Sequence, residues 1–185
     1  MNKLKKLQHK IVILLLFFAF IQVNAQTIEG YSFQNYSVKK HSFVKKAKLN
    51  FQSNPSASIF KKWIIEGYEK SKDINFGGYY VLISWKMGTD SMEGVLVDSR
   101  DGKIYNLPPY PRTTGNDCYQ DREELQKITY TASSKLFITT ACKEFYIEEN
   151  KEYKQEKIFY MSLWNEQYKK FELIKEVKKI KIVKE

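Results

Sequence analysis

From Gly77 the apolar pattern of this 185-residue chain changes from a helical spacing to strict alternation, and that change limits the folds open to it. Tyr79, Val81, Ile83, Trp85 and Met87 fall at every second position, which puts them on one face of a strand. Gly88-Thr89-Asp90-Ser91 supplies turn residues, and Met92–Asp98 returns as a second strand. Asp101-Gly102 is a hairpin signal leading to a third strand over Lys103–Leu107. Three strands so joined make an antiparallel meander.

Before the meander, Asn54-Pro55 is a helix start, with a capping side chain ahead of proline at the first helical position. Phe60, Trp63, Ile64, Gly67 and Tyr68 recur at three- and four-residue steps, so a helix with one apolar face is expected from about Pro55 to Lys70. After it, Pro108-Pro109-Tyr110-Pro111 ends the third strand, since proline cannot donate to a ladder. Arg112–Gln126 is polar and reads as a long loop. Lys135–Thr140, Ile158–Trp164 and Tyr168–Lys175 read as further strands, and charged Glu148–Glu156 as a solvated loop or strand extension. The tail from Glu176 fits a strand or a short helix equally. The expected fold class is α+β: one N-terminal helix packed on an antiparallel meander sheet of about six strands, in a single domain.

Residues 1–25 carry a different signature. Lys3, Lys5, Lys6 and Lys10 precede an unbroken apolar run, Ile11–Ile21, and Val23-Asn24-Ala25 sets small residues ahead of a cleavage point. This pattern is that of a secretory signal peptide cut between Ala25 and Gln26. The run reaches roughly 17 Å as a helix, short of the ~30 Å needed to span a bilayer. A lipoprotein would need a cysteine just after the cut, and the two cysteines are Cys118 and Cys142. The expected organisation is a signal peptide over 1–25, a mobile or edge segment over 26–46, the α+β domain over 47–175 and a basic tail over 176–185. No membrane span is expected in the mature chain.

Export makes a disulfide between Cys118 and Cys142 the first expectation for the two cysteines. Free structural thiols are the next alternative. A catalytic thiol would want a histidine, and His41 is the only one past the leader. A serine triad would depend on that same histidine and lacks the G-x-S-x-G elbow.

The run Leu49-Asn50-Phe51, Asn54-Pro55, Phe60, Glu66-Gly67, Asn75-Phe76-Gly77-Gly78-Tyr79-Tyr80, Trp85, Gly88-Thr89, Gly94, Val97-Asp98, Gly102-Lys103-Ile104-Tyr105 and Leu107-Pro108 resembles a group of small exported bacterial proteins of unknown function. Ser134-Lys135-Leu136-Phe137, Cys142 and the aromatic strand ending at Trp164 extend the resemblance over about residues 47–175. It implies export and the same fold, and no activity. Members of that group often carry cysteines around the turn that here reads Lys86-Met87-Gly88-Thr89-Asp90-Ser91. That departure takes any disulfide or metal role away from this turn.

No metal or cofactor is expected. Asp98-Ser99-Arg100-Asp101-Gly102 lacks the ligands of a calcium loop and reads as a hairpin turn. Asp117, Asp121, Glu123 and Glu124 read as a solvated acidic loop, with a divalent site as the sharper alternative. Trp85 and Trp164 lie in strand patterns and read as core residues, with ligand stacking as their alternative role. With 31 Lys and Arg against 21 Asp and Glu, the chain is basic. Lys39, Lys40, Lys45 and Lys46, or the tail lysines from Lys175 to Lys184, would supply a patch for an anionic partner. Export argues against nucleic acid. The expected role is that of a non-catalytic binding or interaction protein of the cell envelope, its partner another envelope or extracellular protein or an anionic polymer. The alternative is an envelope hydrolase using Asp90 or the carboxylates of residues 117–124.

Overall fold

The computed structural model describes residues 27–42, 45–87, 91–109, 128–149 and 151–184. The elements in chain order are β1 (Thr27–Ile28), β2 (Tyr31–Ser32), α1 (Lys61–Lys70), β3 (Tyr80–Met87), β4 (Ser91–Asp98), β5 (Ile104–Asn106), β6 (Ile128–Tyr130), β7 (Leu136–Ile147), β8 (Glu152–Asn165) and β9 (Lys170–Lys184). A 3-10 segment, Pro55–Phe60, leads directly into α1, and the Asn54 side chain accepts from the Ala57 N–H at its start. All strand pairs are antiparallel.

The α+β class holds, with one α-helix among the described residues. The expectation of one sheet of about six strands does not. The strands divide into the β1-β2 hairpin, a three-stranded sheet β3-β4-β5 and a four-stranded sheet β6-β7-β8-β9. Packing decides this. Strand β3 is buried on both faces: Val81 and Ile83 meet Ile64 and Tyr68 of α1, while Tyr80 and Leu82 meet Phe137 of β7 and Trp164 of β8. The second group of strands therefore covers the back of the meander instead of extending its edge. Its far face is covered in turn by Phe33, packed with Leu136, Ile138 and Met161. The molecule is layered as helix, small sheet, large sheet and N-terminal hairpin.

Two local devices fix the layers. Gly67 of α1 sits so close to β3 that a Cβ there would lie 2.4 Å from Ile83 Cγ2. Asn75 acts as a surrogate strand residue: its Nδ2 donates to the Leu82 carbonyl at 2.9 Å and its Oδ1 accepts from the Leu82 N–H at 2.7 Å. The next residues, Gly77 and Gly78, donate to the Ser134 and Ala132 carbonyls, which ties the start of the meander to the large sheet.

Strands β7, β8 and β9 run far past the last sheet-to-sheet contact. The tail alternates with the strand on its flank: β9 pairs with β8 all the way to Lys184, opposite Glu152. A register shift at Met161/Ser162 leaves Ile174 without a partner, so one extra residue of β9 is accommodated as a bulge.

Candidate functional site

Three places on this frame concentrate chemistry. The densest is the seam between the two sheets. Tyr80 and Asp98 come from the meander and Arg100 from its β4–β5 turn; Trp164 ends β8, and Glu166 and Lys169 lie in the β8–β9 turn. Arg100 Nε donates to Asp98 Oδ1 at 2.7 Å, and its Nη2 donates to Asp98 Oδ2 at 2.5 Å and Glu166 Oε1 at 2.8 Å. Lys169 Nζ donates to Glu166 Oε1 at 2.6 Å and to Tyr80 Oη at 2.9 Å. The Tyr80 hydroxyl and the Trp164 Nε1–H donate to Glu166 Oε2 at 2.5 and 2.9 Å.

Burial by itself would raise the Glu166 carboxyl, but the donors from Arg100, Lys169, Tyr80 and Trp164 outweigh it and pull the group from 4.5 to about 2. Burial first, and then the bond to Glu166, push the Tyr80 phenol upward, so it stays protonated. The bond to Asp98 leads the interactions that raise the Arg100 guanidinium. Two cations face two carboxylates, and each carboxylate oxygen has a donor. The cluster therefore acts as a clasp between the sheets. Outside it, the Arg100 guanidinium lies 4.4 Å from the Tyr79 ring centre, and the His41 ring stacks on Tyr79 at 4.1 Å.

The second place is a groove of about 500 Å³ between the 3-10 segment and the open face of the meander, lined by Ile59, Phe60, Trp85, Glu93, Leu107 and Pro109 among others. Phe60, Trp63 and Trp85 form a ring cluster with centres 5.2 to 5.8 Å apart. Trp63, expected on the buried face of the helix, is 44% exposed. Trp85 Nε1 is buried without an acceptor.

The third place is the far half of the large sheet. Phe145, Lys154 and Ile182 lie opposite one another across β7, β8 and β9, as do Lys143, Glu156 and Ile180. Phe145, Ile180 and Ile182 are 42%, 57% and 47% exposed. On the opposite face, Tyr146 and Tyr153 pair with ring centres 5.0 Å apart. β9 ends the sheet order, so its outer edge is unpaired among the described residues.

Of the residues singled out by sequence, Asp90, Asp117, Asp121, Glu123 and Glu124 lie outside the described residues, as do Cys118, Ala25 and Gln26. Cys142 lies buried on β7. The Asp98–Gly102 segment is a hairpin turn, with the Gly102 N–H donating to the Asp98 carbonyl at 2.8 Å. The lysine cluster before the helix is partly structural. Lys46 Nζ donates to the Tyr68 and Glu69 carbonyls at the end of α1, and Lys40 pairs with Asp73. Trp164 is core, as expected, and Trp85 is half-buried on the groove wall. Sequence reasoning missed Tyr80, Arg100, Glu166 and Lys169 as a group. Its one trace was an arginine inside the Asp98–Gly102 turn.

No family model, no curated protein and no solved structure matches the chain. Among the described residues no helix is long and apolar enough to cross a membrane.

Proposed function

We propose that this chain is an exported, non-catalytic binding protein of the cell envelope that takes up an extended segment of a partner protein along β9. The observation that carries the reading is the outer edge of β9, a strand fifteen residues long that carries exposed Ile180 and Ile182. A long edge strand presents a row of unpaired backbone groups with which an extended segment can pair. Strand addition uses that row for affinity and the flanking side chains for selectivity.

The charge on β9 favours an acidic segment over a second copy. Lys170, Lys178 and Lys179 are balanced by Glu172, Glu156 and Glu29, whereas Lys175 and Lys181 have no ion pair among the described residues. Two β9 strands side by side would bring these lysines together, which is unfavourable. The signal-peptide pattern and the basic composition agree with this placement and partner. The hydrolase alternative rests on carboxylates outside the described residues and gains no support from the geometry.

Photo-crosslinking in the native envelope tests the reading, with the reactive group placed at Ile180, at Ile182 or, as a control, at Lys103 on the small sheet. A shared partner captured from the two β9 positions and not from Lys103, with amide exchange slowed along Lys175–Lys181 in the complex, is expected. Equal capture from all three positions, or capture of the protein's own copies alone, would overturn it.

A further inference from the structure

We infer that the groove beside α1 binds an arginine-bearing peptide segment, the guanidinium pairing with Glu93 and stacking on the Trp85 and Phe60 rings that line it. This site is on a different face from the β9 edge and does not depend on strand addition.

Register puts the two decisive groups together. Trp85 on β3 lies directly opposite Glu93 on β4, so their side chains stand side by side on one face of the sheet. That face opens into the groove, where Glu93 is the one ionisable side chain among the lining residues. Glu93 is exposed and has no ion-pair partner among the described residues, although the chain as a whole carries 31 basic side chains. Core packing accounts for Phe60 and Trp85, which rest against Ile64, Val81 and Ile83. It does not account for Trp63, whose ring joins the same cluster while nearly half of it faces solvent.

Half-buried aromatic faces beside a carboxylate select a cation. The ring quadrupole attracts positive charge, and the carboxylate adds two acceptors. A guanidinium answers both at once, because its planar fork binds a carboxylate with two parallel N–H donors while its face stacks on a ring. An ammonium is a point charge and fills only the electrostatic half of the site. The groove's volume of about 500 Å³ is that of a ligand site and exceeds a single side chain. Leu107, Pro109 and the exposed Ile59 line the remainder, so the residues flanking the arginine are apolar.

The test follows the three indole N–H signals by proton–nitrogen NMR while the purified protein is titrated with acetyl-Leu-Arg-Leu-amide. Saturable shifts of the Trp85 signal, with Trp164 unmoved, are expected. The citrulline analogue, which has the same shape without the charge, is expected to bind about tenfold more weakly. Glu93→Gln, an exposed change, is expected to remove that difference and leave the Trp164 signal in place. Equal binding of the arginine and citrulline peptides would overturn the inference, as would shifts produced by tetramethylammonium and not by the arginine peptide. Concentration-dependent shifts of Trp85 without peptide would assign the groove to a second copy of the chain and also overturn it.

Discussion

The Tyr80 hydroxyl donates to Glu166 Oε2 at 2.5 Å across 86 residues of sequence, and this bond fastens the meander to the large sheet. Around it the interface is aromatic. Tyr80 meets Trp164 edge-on at 5.1 Å, and Trp164 also contacts Tyr105 and Phe171. Such rings supply burial with a preferred geometry, while the Arg100–Glu166–Lys169 charges set the register of one sheet on the other.

Glu166→Gln should therefore lower stability near neutral pH by on the order of 1–2 kcal/mol, a modest figure because the carboxylate is partly solvated. The pH dependence has a defined sign. The folded-state pKa lies below its ordinary value, so the stabilisation is full above about 4.5 and is lost as pH falls toward 2. Denaturation melts of both proteins from pH 6 to pH 2 would show a shallower loss for the variant in that window. Parallel curves would mean that Glu166 does not carry the dependence.

Some of this was legible in the residue pattern and some could not be. Alternation from Tyr79 to Met87, the Asp101-Gly102 turn and the Asn54-Pro55 start name the meander and the helix, because these signals are local. The division into two sheets is not local: Phe137 and Trp164 look the same in sequence whether they extend the meander or cover it. The ends of β7 and β8 were also hidden, since Lys143, Glu144 and Glu156 interrupt the apolar alternation there. The clasp joins Tyr80 to Glu166 through three dimensions alone.

Gly67→Ala separates helix propensity from packing. In a free helix the change would stabilise by about 1 kcal/mol. Here the new methyl group would meet Ile83 Cγ2 at 2.4 Å, within a buried strand, and overpacking of this kind costs about 1–3 kcal/mol. The expected net effect is a destabilisation of about 1 kcal/mol in urea melts. Combining it with Ile83→Ala should give a coupling energy that favours the double variant. Additivity would show that α1 shifts away freely.

The proposed export carries its own two measurements. Intact mass of the product recovered from outside the inner membrane should match a chain starting at Gln26. Thiol titration of that product, denatured but unreduced, should find neither Cys118 nor Cys142 free. Reduction is then expected to cost about 3 kcal/mol, from the loop that the bridge closes. Two titrating thiols before reduction would rule the bridge out.

Lysines that look alike in sequence should separate by experiment. Lys46 reaches the carbonyls of Tyr68 and Glu69, where the end of α1 leaves acceptors unmet and the helix dipole is negative. Lys46→Met should therefore lower stability by about 1 kcal/mol and leave partner capture at β9 unchanged. Lys181 stands on the exposed edge strand without an ion pair among the described residues. Lys181→Met should leave urea melts within ~0.5 kcal/mol of the parent. It should also weaken crosslinking to the partner at Ile180, by an amount that shrinks as salt screens the charge. The reverse pattern, with Lys46 governing capture and Lys181 governing stability, would move the binding surface from β9 to the segment before the helix.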